Sequence, residues 1–115
     1  MSKRQRGESD SPLGSFEEHV MLAIARLRKQ AYTVNLRREI QARTDREVAM
    51  GAVYATLDRL EAKKLVASWR ESVDELPRRM FALTTAGVAA LAQTREMRDR
   101  LWHGLELRKI ATRLI

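Results

Sequence analysis

Arg59 and Lys63 close the segment MGAVYATLDRLEAKKLV, and Ala52, Ala55 and Thr56 stand before them. These residue types, so spaced, suit the chemistry of meeting a polyanion. Read as a helix, the segment brings the five together on one side, about 100° from Val53, Leu57 and Leu60. Small side chains let a helix approach the floor of the DNA major groove. A thymine methyl can rest on Ala52 or Ala55, and the Thr56 hydroxyl can bond a base edge or a phosphate. Arg59 and Lys63 stand where the helix would leave the groove and meet the backbone. The face carries no Asn or Gln, so DNA shape is expected to share in specificity. An ordinary solvent-facing helix rich in alanine would show the same residues, so the segment alone does not decide between the two.

Other chemistries find little support. His19 and His103 have no neighbours at ligand spacing, so no metal site is expected. No nucleophile–histidine–acid pattern, glycine-rich phosphate loop or paired-carboxylate signature stands out, so neither an enzyme nor a cofactor is expected. The chain lacks cysteine, which removes disulfides and thiolate metal ligands and suits a reducing cytoplasm. No apolar run approaches the roughly 20 residues that span a bilayer. The opening MSKRQRGESDSPLG lacks the apolar core of a signal peptide. A net charge of +7 over 115 residues points to nucleic acid or an acidic membrane surface, though solubility alone would also account for it.

The elements that must position this face follow from apolar spacing. Ser15 and Glu18 have the spacing of a capping box, so a first helix is expected to start at Ser15. Leu13, Phe16, Val20, Ala23, Ile24 and Leu27 form its stripe. Met21 and Leu22 fall outside the stripe, which calls for a second cover: a partner subunit or another helix of the chain. A second helix is expected over 33–43, with Val34 or Leu36 and Ile40 inward, and a third over 50–63. LVASWRE and RRMFALT read as two strands joined by the polar turn SVDELP. Thr84 or Thr85 can cap a long last helix carrying Val88, Leu91, Met97, Leu101, Trp102 and Leu105, which Gly104 ends or bends. A weak amphipathic stretch with Leu107, Ile110 and Leu114 follows. The expected class is mainly α (α+β): a winged helix-turn-helix with an additional C-terminal dimerisation helix. Residues 1–12 read as a disordered arm, 13–84 as the DNA-binding domain and 85–115 as the dimerisation helix and tail.

LGSFEEHVMLAIARL, AYTVNLRREI, GAVYATLDRLEAKKLV and FALTTAGVAAL, in that order over about residues 13–105, resemble the PadR family of bacterial transcriptional regulators. G-x-V-Y-x-x-L-x-R-L and L-T-x-x-G are its characteristic stretches. The resemblance implies a homodimer formed through the first and last helices, binding to an operator on double-stranded DNA, and usually repression. It implies that Tyr54 reaches DNA, that Gly51 lets the backbone approach phosphate, that Tyr32 lies near the DNA backbone, and that Arg78 and Arg79 form the basic root of the wing. The expected dimer residues are Phe16, Met21, Leu22, Met97, Leu101, Trp102 and Leu105, and some relatives hold small aromatic effectors at this interface. The chain departs from the pattern at Thr33, where the family commonly has glycine, and at Ala49, where it commonly has serine. Asp74 and Glu75 put acid near the wing tip.

Overall fold

The computed structural model describes residues 13–114, so the expected arm over 1–12 lies outside the described residues. Helix α1 spans Ser15–Leu27, α2 Thr33–Thr44, α3 Met50–Ala62 and α4 Thr85–Trp102. Strands β1, Val66–Val73, and β2, Leu76–Leu83, lie between α3 and α4, and a single turn of helix, α5, covers Leu107–Ala111.

Helix α1 is capped at Gly14 and not at Ser15. The Gly14 N–H donates to Glu17 Oε1 at 2.9 Å. The expected reciprocal partner of Ser15, Glu18, is engaged instead by Arg98 of α4, so the cap shifts one residue toward the N-terminus. The predicted stripe is otherwise in place: Leu13, Val20, Ala23 and Ile24 are buried, with Phe16 and Leu27 packed against them. Met21, expected on the partner face, is fully buried within its own chain beside Gly87 of α4. The second cover over α1 is thus partly intramolecular.

In α2, Leu36 and Ile40 are buried, while Val34 is half-buried. The connection to α3 is held by its backbone. Arg37 Nε donates to the Val48 carbonyl at 2.7 Å, and the Val48 N–H donates to Gln41 Oε1 at 2.9 Å. Both groups of one loop residue are therefore fixed by α2, which sets the angle at which α3 departs. Helix α3 buries Val53, Leu57 and Leu60. It ends in a Schellman motif. Lys64 adopts φ 64°, its N–H bonds the Glu61 carbonyl at 2.9 Å, and the Leu65 N–H bonds the Leu60 carbonyl at 3.0 Å.

The strands pair antiparallel from Val66 opposite Leu83 to Val73 opposite Leu76. Asp74 and Glu75 alone make the turn, with φ 53° and 65°, the signature of a type I′ hairpin. The expected turn over 72–77 is therefore too long, because Ser72 and Pro77 are a paired rung of the ribbon. The outer ribbon buries almost nothing, so its composition is that of a loop. A third rung arrives from before α2. The Phe81 N–H donates to the Ala31 carbonyl at 3.0 Å, and Tyr32 bridges to Met80. A single bridge leaves no periodicity to read in a sequence.

Thr84 joins the wing, α3 and α4. Its hydroxyl accepts from the Gly87 N–H at 3.0 Å and donates to the Lys64 carbonyl at 2.8 Å, and its N–H donates to the Leu65 carbonyl at 3.1 Å. A Cβ at Gly87 would lie 2.1 Å from that Leu65 oxygen. The L-T-x-x-G stretch is thus a docking device in which threonine caps and glycine allows contact. Helix α4 buries Ala90 and Thr94 and stops before Gly104, whose φ is 79°. Among the described helices none is long and apolar enough to cross a membrane.

Candidate nucleic-acid interface

The face of α3 follows from what the core takes. Val53, Leu57 and Leu60 point inward, and so does Thr56, which is 3% exposed and accepts a hydrogen bond from Arg59 Nη2 at 3.3 Å. Thr56 was expected to touch DNA; it is a buried support for Arg59, because the core sector of α3 is wider than its three branched residues suggest. At about 100° per residue, the line opposite this sector runs through Gly51, Ala55, Asp58 and Ala62. All four are exposed. Among the described residues, apart from the adjoining helix backbone, no atom lies within 4 Å of where a Gly51 Cβ would stand, so packing does not demand glycine there.

Two flanks border this line. On the wing side stands Tyr54, 49% exposed. It lines a cleft of about 290 Å³ together with Tyr32, Thr33, Val34, Arg70, Pro77, Arg78 and Arg79. The Arg78 guanidinium lies 4.5 Å from the centroid of the Tyr32 ring, a cation–π contact that fixes both side chains. The start of α2 borders the same cleft and has no side-chain cap. Arg70 is the cation that sequence reasoning missed. It is paired across from Arg79 in the ribbon, and only the strand register could have pointed to it.

On the α1 side stand Ala52 and Arg59. The Arg59 side chain is 54% exposed and its Nε is 3.6 Å from Glu17 Oε2. Lys63 is held more tightly: its Nζ donates to the same oxygen at 2.9 Å, and its side chain is only 17% exposed. Burial by itself would push the Glu17 carboxyl up, but the Lys63 hydrogen bond, the Gly14 N–H and the charges of Lys63 and Arg59 together hold it below its ordinary value. Glu17 therefore stays ionised and keeps Lys63 in place.

Arg79 is likewise engaged. Its Nη2 is 2.6 Å from Glu61 Oε1, its Nη1 is 3.6 Å from Asp58 Oδ1, and its Nε donates to Ser68 Oγ at 3.3 Å. The guanidinium also lies over the Phe81 ring. This residue clamps the root of the wing to α3. Of the expected cations, Arg59 is exposed beside the face and Arg78 lines the wing-side cleft half-buried against Tyr32, whereas Lys63 and Arg79 hold the elements that shape the face. The acidic tip, Asp74 and Glu75, is exposed.

The residues expected at a subunit interface lie elsewhere. Leu22, Leu101, Trp102 and Leu105 are exposed at 44%, 67%, 55% and 52%. Phe16 and Met97 are half-buried, and Met21 is removed from the set by its burial.

Comparison with known proteins bears on the whole assembly. Residues 21–93 match the Transcriptional regulator PadR-like family. A curated relative, Transcriptional regulator Rv3488 of Mycobacterium tuberculosis, is 43% identical over 54 residues, which are 47% of this chain and 50% of that protein. The chain thus spans about half the length of the curated relative it matches. A PadR family transcriptional regulator from Eggerthella lenta superposes with a TM-score of 0.63 at 25% identity, covering 83% of this chain and 82% of that one. A PadR-like transcription factor from Bacteroides fragilis gives 0.63 at 24% identity over 75% and 82%. MarR from Escherichia coli in its apo form gives 0.60 at 24% identity over 87% and 72%, a likeness of fold. The three-helix core, the two-stranded wing and the long following helix, together with the match over most of that core, establish that this chain belongs to the PadR-like family of transcriptional regulators and has a winged-helix fold.

Proposed function

We propose that the protein is a cytoplasmic homodimeric repressor that binds a pseudo-palindromic operator in double-stranded DNA. The observation that carries this reading is the exposed line Gly51, Ala55, Asp58 and Ala62, flanked by Tyr54 toward the wing and Arg59 toward α1. A helix so smooth can enter a major groove, and its flanking side chains reach the two groove walls. Arg78 stacked on Tyr32 adds a cation where the wing root would pass a phosphate. Gly51 and Ala52 bring backbone close to the DNA. Leu22, Leu101, Trp102 and Leu105 form the apolar surface of the dimer. In such a dimer the two α3 helices would enter successive major grooves, about 34 Å apart.

The test is binding to DNA from the protein's own upstream region beside a scrambled duplex, at two salt concentrations. A preference that survives the higher salt supports a sequence-specific repressor. Equal, salt-sensitive binding to both overturns it, since phosphate contacts alone produce that result.

A second reading has one observation in its favour. A groove of about 760 Å³ between α1 and the wing is lined by Ile24, Leu27, Trp69, Phe81 and Leu83, with Arg28 and Lys29 also along it. A small aromatic effector would fit such a surface, and its binding would quench Trp69.

A further inference from the structure

The outward line of α3 holds one side chain larger than a methyl group. Gly51, Ala55 and Ala62 offer backbone and Cβ only, and Asp58 stands among them with its side chain 69% exposed. It lies one turn beyond Tyr54 and three residues beyond Ala55, on the part of α3 that projects farthest from the core. We propose that Asp58 is a specificity-determining residue, whose carboxylate accepts a hydrogen bond from the N4 amino group of a cytosine in the major groove. This rests on the reading of α3 as the helix that enters DNA.

The chemistry singles out cytosine. An ionised carboxylate only accepts hydrogen bonds. Placed against a groove floor it needs a donor, because an unsatisfied charge there would be strongly unfavourable. The major groove presents two amino donors, cytosine N4 and adenine N6. Adenine sets its N7 acceptor beside N6, and a carboxylate would be repelled by it. Guanine shows N7 and O6, and thymine O4, all acceptors. Cytosine carries its donor with no acceptor of its own on that edge.

Among the described residues no hydrogen bond takes up this carboxylate, which contacts only Arg79. Arg79 Nη1, its ion-pair partner among the described residues, stands at 3.6 Å, while the same guanidinium makes its close contact, 2.6 Å, with Glu61. Arg79 thus lessens the repulsion between Asp58 and the DNA backbone without occupying its oxygens at hydrogen-bond distance. The flanking Ala55 and Ala62 leave the space that so short a side chain requires to reach a base edge.

The experiment is enrichment from a randomised duplex pool, run with the full chain as wild type, Asp58→Ala and Asp58→Asn. The wild type is expected to enrich a cytosine at one fixed position of each half-site. Asp58→Ala is expected to lose about tenfold of that discrimination and to keep the rest of the motif. Asp58→Asn is expected to move the preference at that position toward adenine, whose N6 and N7 match an amide. If Asp58→Ala instead keeps the cytosine and only binds every duplex more tightly, Asp58 repels phosphate and does not read a base, and the proposal is overturned. If the wild type enriches no motif at all, the operator reading itself fails, which separates that failure from this one.

Discussion

Lys63 Nζ lies 2.9 Å from Glu17 Oε2, and this pair joins the end of α3 to the start of α1. On the other side Arg79 and Glu61 join the same helix to the wing, and the longer pairs Arg59 with Glu17 and Arg79 with Asp58 reinforce the two ties. The face of α3 is therefore held between the Lys63–Glu17 and Arg79–Glu61 pairs, and the cations in them are engaged within the chain. Neutralising Glu17 as Glu17→Gln removes the charge that holds Lys63. Stability is expected to fall by about 1–3 kcal/mol. Nonspecific DNA affinity is expected to rise at low salt, since Lys63 and Arg59 are freed. Thermal unfolding and salt titrations on the same preparation check both. The folded carboxyl sits below its ordinary range. Its contribution to stability is thus fully present above that range and is lost as pH falls through the lowered value. Glu17→Gln should show a flatter loss of stability on acidification than the wild type.

The two cations near the end of α3 are expected to behave differently. Arg59→Ala should weaken binding to all duplexes alike and lower the salt slope by about one unit. Lys63→Ala should cost stability and change the slope much less, because the lysine is bound to Glu17. Equal changes in slope would show that the ion pair opens on DNA.

Tyr54 is half exposed and belongs to the wing-side cleft, not to the core. Tyr54→Ala is expected to leave folding and self-association unchanged and to reduce operator affinity about tenfold or more, the loss of one good contact. Operator affinity equal to the wild type's would remove Tyr54 from the interface.

Gly87→Ala places a Cβ against the Leu65 carbonyl at the joint of α3, wing and α4. The expected cost is about 3 kcal/mol, at the upper end of overpacking. Circular dichroism melting would record it. Any dimer built on α4 should weaken with it, which sedimentation would show.

Trp102→Ala and Leu101→Asp change side chains that are more than half exposed in the single chain. The expected result is a monomer with little change in the melting of the isolated fold, and a loss of operator affinity greater than tenfold, since two half-sites no longer act together. A dimer that persists in both variants would place the interface elsewhere.

Much of this architecture was legible in the sequence. The stripe Val20, Ala23, Ile24, the inward trio Val53, Leu57, Leu60, and the Thr84 cap are local consequences of helical period and side-chain type, and the structure keeps them. The hairpin was legible as two strands but not in its length, since an I′ turn made by Asp74 and Glu75 uses conformation and not the usual turn composition. The candidate face was legible as a small-residue surface and misjudged in its axis. Thr56 belongs to the core, and Asp58 belongs to the outward line. The reason is physical. Periodicity fixes which residues share a side, but the width of the buried sector depends on which elements pack against the helix, and α1, α2 and β1 all pack on α3. Ion pairs such as Lys63 with Glu17 and Arg79 with Glu61 join residues far apart in the chain. No local pattern marks them. Charge, helix order and the small-residue surface are properties of the chain. Which cations face outward, which are tied inward, and which carboxylate crosses the face are decisions of tertiary packing.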